Sequence, residues 1–104
     1  MVRVPFPFVE RPRLRPRPVL LVTDALPGTD DVAWALMITT AENAGWPDDV
    51  SLIERHREFG LPVPCVIRTA KIATVQVSDV PHIGRLSDDL LDAVRVKLQR
   101  LLSL

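Results

Sequence analysis

The 104-residue sequence holds one cysteine, no tyrosine and only 5% aromatic residues. A lone thiol closes no intrachain disulfide and anchors no zinc site, so the fold has to rest on its core. A chain of this length buries roughly 60–70% of its extended surface, which is sufficient for that. No apolar run approaches the roughly 18 residues of a membrane span, and Pro5 and Pro7 interrupt the N-terminal MVRVPFPFVE where a signal peptide needs a continuous apolar stretch. The expectation is one cytoplasmic domain over residues 1–104, without membrane contact. The familiar catalytic devices are missing as well: there is no glycine-rich phosphate loop, no GxSxG elbow and no HExxH. His56, inside the charged run ERHRE, and His82, after Pro81, lie in unrelated polar contexts; the first reads as part of a solvated loop or helix end and the second as structural or incidental. The aspartate pairs 30–31, 48–49 and 88–89 fall at turns or caps, and adjacent carboxylates point apart, so no metal site and no cofactor are expected. Cys65, between Pro64 and the β-branched Val66 and Ile67, reads as a buried core thiol rather than a nucleophile.

What is present in excess is proline and arginine. Ten prolines punctuate the chain up to Pro81, and eleven of the 13 basic residues are arginine, the side chain suited to planar, bidentate contact with phosphate. The total charge balances, with 13 acids. The placement does not. Arg3, Arg11, Arg13, Arg15 and Arg17 share the first seventeen residues with one acid, Glu10. A local basic patch on a neutral protein favours an anionic partner at one face; the competing reading is a solvated arginine-rich loop.

The layout reads as strands first and a helix last. Residues 2–8 form a short edge or bulged strand, because Pro5 and Pro7 exclude a central one. Residues 10–16 make a proline-arginine loop, 18–23 a buried strand, and 26–31 (LPGTDD) a turn. The run VAWALMITT at 32–40 mixes helix and strand formers and is assigned to strand. Loop 46–49 precedes a short strand at 50–53, and 65–67 and 71–75 are two further strands separated by the polar link Arg68-Thr69-Ala70. Ser87 supplies an N-cap, Asp88 and Asp89 an acidic first turn, and Leu86 a staple onto Leu91. Leu90, Leu91, Val94, Leu98, Leu101 and Leu102 then mark one apolar helical stripe to the C-terminus. The fold class is mostly β (α+β): a small barrel of short strands closed by an amphipathic helix.

Arg17 stands at the entrance of the 18–23 strand, and Thr39 and Thr40 end the 32–40 strand. If those strands are neighbours, an arginine and a hydroxyl meet over one mouth. That pair can stabilise a phosphoryl transition state without histidine or metal. Threonine in a strand and arginine before proline are also commonplace.

The ordered set FPF, a basic loop, RPVLLV, a strand ending ITT, DVSLI, CVIRTAKIATV and IGRLSDDLL resembles the MazF/PemK family of type II toxin–antitoxin endoribonucleases over nearly the whole chain. The resemblance implies an SH3-like barrel with a C-terminal helix, usually a homodimer, that cleaves single-stranded RNA at short sequences and is neutralised by a small antitoxin, whose complex with the toxin binds DNA. It places the catalytic arginine at Arg17 and the catalytic hydroxyl at Thr39, with Thr40 at a position often held by serine. The implied chemistry is metal-independent transesterification by the RNA 2′-hydroxyl. The loop carrying Arg11, Arg13 and Arg15, where the family usually has a glycine-containing one, is expected to contact RNA phosphates, its alternate residues projecting to one face. Trp34, Leu36 and Ile38 exceed what one small core needs, which points to a twofold homodimer with the RNA in its groove. Two other classes remain open: a non-catalytic module of the same fold acting on a protein such as a topoisomerase, and a nucleic-acid-binding barrel that does not cleave. The low aromatic content weakens the last, since sequence-tolerant single-strand binding relies on stacking platforms.

Overall fold

The computed structural model describes residues 1–5, 16–78 and 80–103, so the expected site residues Arg11, Arg13 and Arg15 lie outside the described residues. Five antiparallel strands form one sheet in the order β1-β2-β3-β5-β4, followed by a single α-helix. The strands are β1 (Val2–Pro5), β2 (Pro16–Leu21), β3 (Val32–Thr40), β4 (Asp49–Ser51) and β5 (Cys65–Gln76). The helix α1 runs Asp88–Leu102. The mostly β reading and the strand at 32–40 are therefore correct. β-Branched and aromatic side chains at alternate positions outweigh the Ala, Leu and Met of VAWALMITT, because both faces of β3 are covered.

Alternation along β3 feeds two apolar clusters. Leu36 and Ile38 point to the larger one, with Leu20, Leu52, Phe59, Leu61, Ile67 and Val94 of α1. Ala35 points to the other face, where Val2, Val19 and Val75 form a smaller cluster. Burying side chains of this size stabilises by about 1.5–3 kcal/mol each. Leu36 and Ile38 are thus consumed by the core, and the expectation that they add to an exposed interface fails. Only Trp34 of that trio is exposed, at 46%, and Ile72, exposed at 49%, lies diagonally across from it on β5.

Three further expectations need correction. The sheet is not closed into a barrel. Its edges, β1 and β4, are four and three residues long and do not pair with each other. The free edge of β1 is met instead by the irregular segment 81–83, through Arg3 N–H to Pro81 O (3.1 Å) and Ile83 N–H to Met1 O (2.9 Å). Next, Arg68-Thr69-Ala70 is no link between two strands, because β5 runs unbroken through it. The pairing with β3 shifts register there: Leu36 faces Ile72 and Met37 faces Arg68, so a bulge absorbs the extra residues. Finally, Ser87 has extended N-cap dihedrals but its hydroxyl makes no capping bond, and the helix stripe stops early, with Leu101 and Leu102 exposed. In the C-terminal half of α1, Lys97 (3.8 Å) and Arg100 form ion pairs with Asp48 of the β3–β4 connection.

Close backbone approach fixes the entrance to α1. A Cβ at Gly84 would fall on the Phe59 carbonyl, and one at Gly60, whose φ is +80°, would meet the Ile83 carbonyl. Only glycine permits this contact. It seats the 3₁₀ turn His56–Phe59 against the segment leading to the helix, where His56 Nδ1 bonds the Leu61 carbonyl at 2.7 Å. That histidine lies in a short helical turn, as expected of its charged run, but its ring is part-buried and holds the Leu61 carbonyl rather than being solvated.

Candidate active site

β2 and β3 pair antiparallel with Val19 opposite Met37, Leu20 opposite Leu36 and Leu21 opposite Ala35. The prolines at 16 and 18 bring no N–H to a ladder, and the paired rungs end at Val19. The same register continued two residues past that rung would set Arg17 across from Thr39. Both belong to the face that carries Val19 and Met37, since side chains alternate along each strand. Arg68 is paired with Met37 from the other side and Asp49 with Arg68, so this face also carries Arg68 and Asp49. One end of one sheet face therefore gathers Arg17, Thr39, Arg68 and Asp49.

Arg17 is half-buried, and Thr39 is 6% exposed. The chain leaves β3 in the 3₁₀ turn Ala41–Asn43, which swings the Asn43 amide back over the strand it has just left. Asn43 Nδ2 donates to Thr39 Oγ1 (3.0 Å) and reaches Thr40 Oγ1 at 3.4 Å. Thr39 Oγ1 thus accepts a bond from Asn43 and keeps its own hydrogen to donate. Thr40 differs. Its hydroxyl donates to Glu42 Oε1 at 3.2 Å, so that proton is already engaged.

The turn is itself held from below. Arg68, 5% exposed, grips the Asp49 carboxylate with two bonds, Nε to Oδ1 at 3.2 Å and Nη2 to Oδ2 at 3.1 Å, and Nη2 also donates to the Asn43 carbonyl. A bidentate guanidinium–carboxylate fork is the strongest geometry for such a pair and fixes orientation as well as distance. Thr69 Oγ1, also buried, donates to the Asp48 carbonyl at 2.8 Å. The bulge in β5 thus places two polar side chains beneath the β3–β4 connection, where they replace water for its backbone. Above them Trp46 lies with its ring centroid 4.2 Å from Arg68 Cζ and 5.4 Å from Lys71 Nζ. Cys65 stands apart from this constellation. Burial pushes its thiol above the ordinary cysteine range, with nearby Arg3 pulling the other way, so it stays protonated and unreactive, as a core thiol does.

Residues 2–102 match the model of a family described as the PemK-like, MazF-like toxin of type II toxin–antitoxin systems. The chain belongs to this toxin family. Among solved structures, the Mycobacterium tuberculosis toxin MazF-mt6 is similar to this PemK/MazF-like toxin. The two are 25% identical, with a TM-score of 0.68 covering 86% of this chain and 89% of that one. No curated protein matches it. As in the sequence-based expectation, the toxin is a mostly antiparallel five-stranded sheet with one C-terminal helix. No helix among its described residues is long and apolar enough to cross a membrane.

Of the residues singled out in the sequence, Thr39 and Thr40 share the Asn43 amide, and Arg17 lies on the neighbouring strand β2, two residues beyond its last paired rung with β3. The sequence reading overlooked Asn43, Asp49, Arg68 and Trp46. Arg68 had a signal: a polar triplet interrupting two apolar strands at 65–67 and 71–75 is either a loop or a bulge, and only the bulge buries an arginine. Asn43 and Trp46 had none, because each lies in a stretch of ordinary turn composition.

Proposed function

We propose that this toxin is an endoribonuclease that cuts single-stranded RNA at specific short sequences, without a metal ion, and so arrests growth until a cognate antitoxin binds it. The observation that supports the reading is the β2–β3 register, which, continued two residues past Val19 and Met37, would bring Arg17 opposite Thr39 on one face, with the Thr39 hydroxyl bonded by Asn43. The RNA 2′-oxygen attacks the adjacent phosphorus, the bond to the 5′-oxygen breaks, and a 2′,3′-cyclic phosphate and a 5′-hydroxyl end result. The proton leaves the 2′-hydroxyl for solvent and the departing 5′-oxygen gains one. Arg17 carries a permanent charge at any ordinary pH and is suited to stabilising the charged phosphorane rather than to acting as a base. Thr39, its oxygen occupied by Asn43, has its hydrogen to offer a non-bridging oxygen. Thr40 is the lesser hydroxyl because Glu42 engages it. Arg11, Arg13 and Arg15 extend the phosphate contacts, and the need for a 2′-hydroxyl makes DNA inert as a substrate. The reading includes a homodimer, with the exposed Trp34 and Ile72 on the face that pairs.

The test is incubation with an end-labelled single-stranded RNA pool in EDTA, followed by mapping of the ends. Discrete cuts with cyclic-phosphate termini are expected, and Arg17→Ala should lower the rate by about two to three orders of magnitude while the protein stays folded. RNA that is bound but uncut favours the non-cleaving module, and no interaction with RNA favours a protein target.

A further inference from the structure

Trp46 is 45% exposed. An indole normally hides its large apolar surface, and this one is held in the open by its surroundings. The main-chain N–H of Trp46 donates to Asp49 Oδ2 at 3.2 Å and its carbonyl accepts from the Asp49 N–H at 3.3 Å, so its backbone is fastened from both sides. The Arg68 guanidinium, itself clamped by Asp49 and the Asn43 carbonyl, backs the ring at 4.2 Å. Lys71, carried by the β5 bulge, brings an ammonium to 5.4 Å from the ring centroid. The ring is also tied to the proposed catalytic hydroxyl: the Asn43 that donates to Thr39 is the residue whose carbonyl Arg68 holds.

We infer that Trp46 is a stacking platform for one unpaired base of the RNA beside the cleaved phosphate, with Lys71 as the cation for that nucleotide's phosphate. The inference rests on the endoribonuclease reading and adds a specificity subsite to it. A preoriented flat ring loses little freedom on binding, a base buries the ring surface that solvent now covers, and the flanking cation matches the charge of the same nucleotide. Every base has a π-face, so the subsite selects by stacking strength and favours purines over pyrimidines. The scarcity of aromatic residues ceases to count against single-strand binding, because one well-placed indole serves one base.

The experiment uses an RNA oligomer spanning the mapped cut, with a 2′-deoxy substitution at the cleaved nucleotide to block the reaction. The protein carries Trp34→Phe, leaving Trp46 as its only indole, since the chain has two. Binding is expected to quench Trp46 fluorescence. Adding Trp46→Ala should weaken the oligomer by about 5- to 150-fold, the range for one base–aromatic stack, whereas Trp46→Phe, which keeps an aromatic face over Arg68, should weaken it far less. Lys71→Gln should lower the slope of log affinity against log salt by roughly 0.7. On cleavable RNA the Trp46→Ala loss should fall on KM more than on kcat. Unquenched fluorescence, or an alanine variant that binds within twofold of its parent, overturns the inference. So does a Trp46→Ala protein that binds RNA normally but no longer binds its antitoxin, since the indole then serves a protein partner. If the parent protein neither binds nor cuts any RNA, the endoribonuclease reading falls and the inference with it; cutting with an indifferent Trp46 overturns the inference alone.

Discussion

Replacing Arg68 by methionine tests the support beneath the candidate site. The side chains of Arg68 and Asp49 are only 6% and 9% exposed, and the fork between them consists of two bonds at 3.2 and 3.1 Å. Methionine fills most of the volume but strands the carboxylate away from water, and it releases the Asn43 carbonyl. Breaking a buried pair from one side costs about 3–5 kcal/mol, a large fraction of the roughly 5–15 kcal/mol that holds a domain together. In urea, with a slope of about 1–3 kcal/mol/M, a loss of about 3 kcal/mol lowers the unfolding midpoint by at least about 1 M. The comparison is made at one fixed protomer concentration, because association adds to apparent stability. The pair's own contribution comes from the cycle with Asp49→Asn, which removes the charge while its amide oxygen still accepts from the Trp46 N–H. The double variant should be more stable than the sum of the single losses predicts, by more than about 1 kcal/mol. An Arg68→Met loss below about 1 kcal/mol, or additivity within about 0.5 kcal/mol, would refute the reasoning.

Thr39→Ala should reduce RNA cleavage by somewhat less than the two to three orders of magnitude expected for loss of a charged donor. Thr39→Ser should retain most of the rate and Thr40→Ala should be milder than Thr39→Ala, all read in single-turnover assays on one mapped RNA. Changing Arg11, Arg13 and Arg15 together to glutamine should flatten the salt dependence of RNA binding by about two units of log–log slope, with cleavage at saturating RNA largely kept; an unchanged slope would make that segment a solvated one. Cys65 should resist alkylation in the folded protein and react at the rate of unfolding. Because its folded thiol titrates above the unfolded value near 8.5, its contribution to stability should hold below that pH and decline as pH rises past it, unlike that of Cys65→Ala.

Strand identity and the catalytic candidates could be read from one dimension, because they depend on neighbours in sequence. Prolines at 5, 16 and 18 confine the first strands to positions where an N–H is dispensable, β-branched runs mark β3 and the two ends of β5, and an acidic first turn followed by a leucine stripe marks α1. Arg17 before a strand and Thr39 at the end of one are likewise local facts, and the likeness to a known family was carried by such ordered segments. That Arg17 and Thr39 belong to adjacent strands and to one face was not local. It follows from the antiparallel register of β2 on β3, which is set by which face each strand buries. The support of the site was still less legible. Arg68-Thr69-Ala70 has the composition of a loop, and it becomes strand because β3 pairs with β5 on both sides of that stretch, β4 pairs as far as Arg68, and a bulge takes up the surplus length. Only then is an arginine buried against an aspartate nineteen residues away, with a tryptophan from a third segment over it. Local propensity decided most of the elements, though not the middle of β5. The clamp on Asn43, the orientation of Thr39 and the exposure of Trp46 came from three segments packing at one end of the sheet, where desolvating a charge requires a partner that no short stretch of sequence supplies.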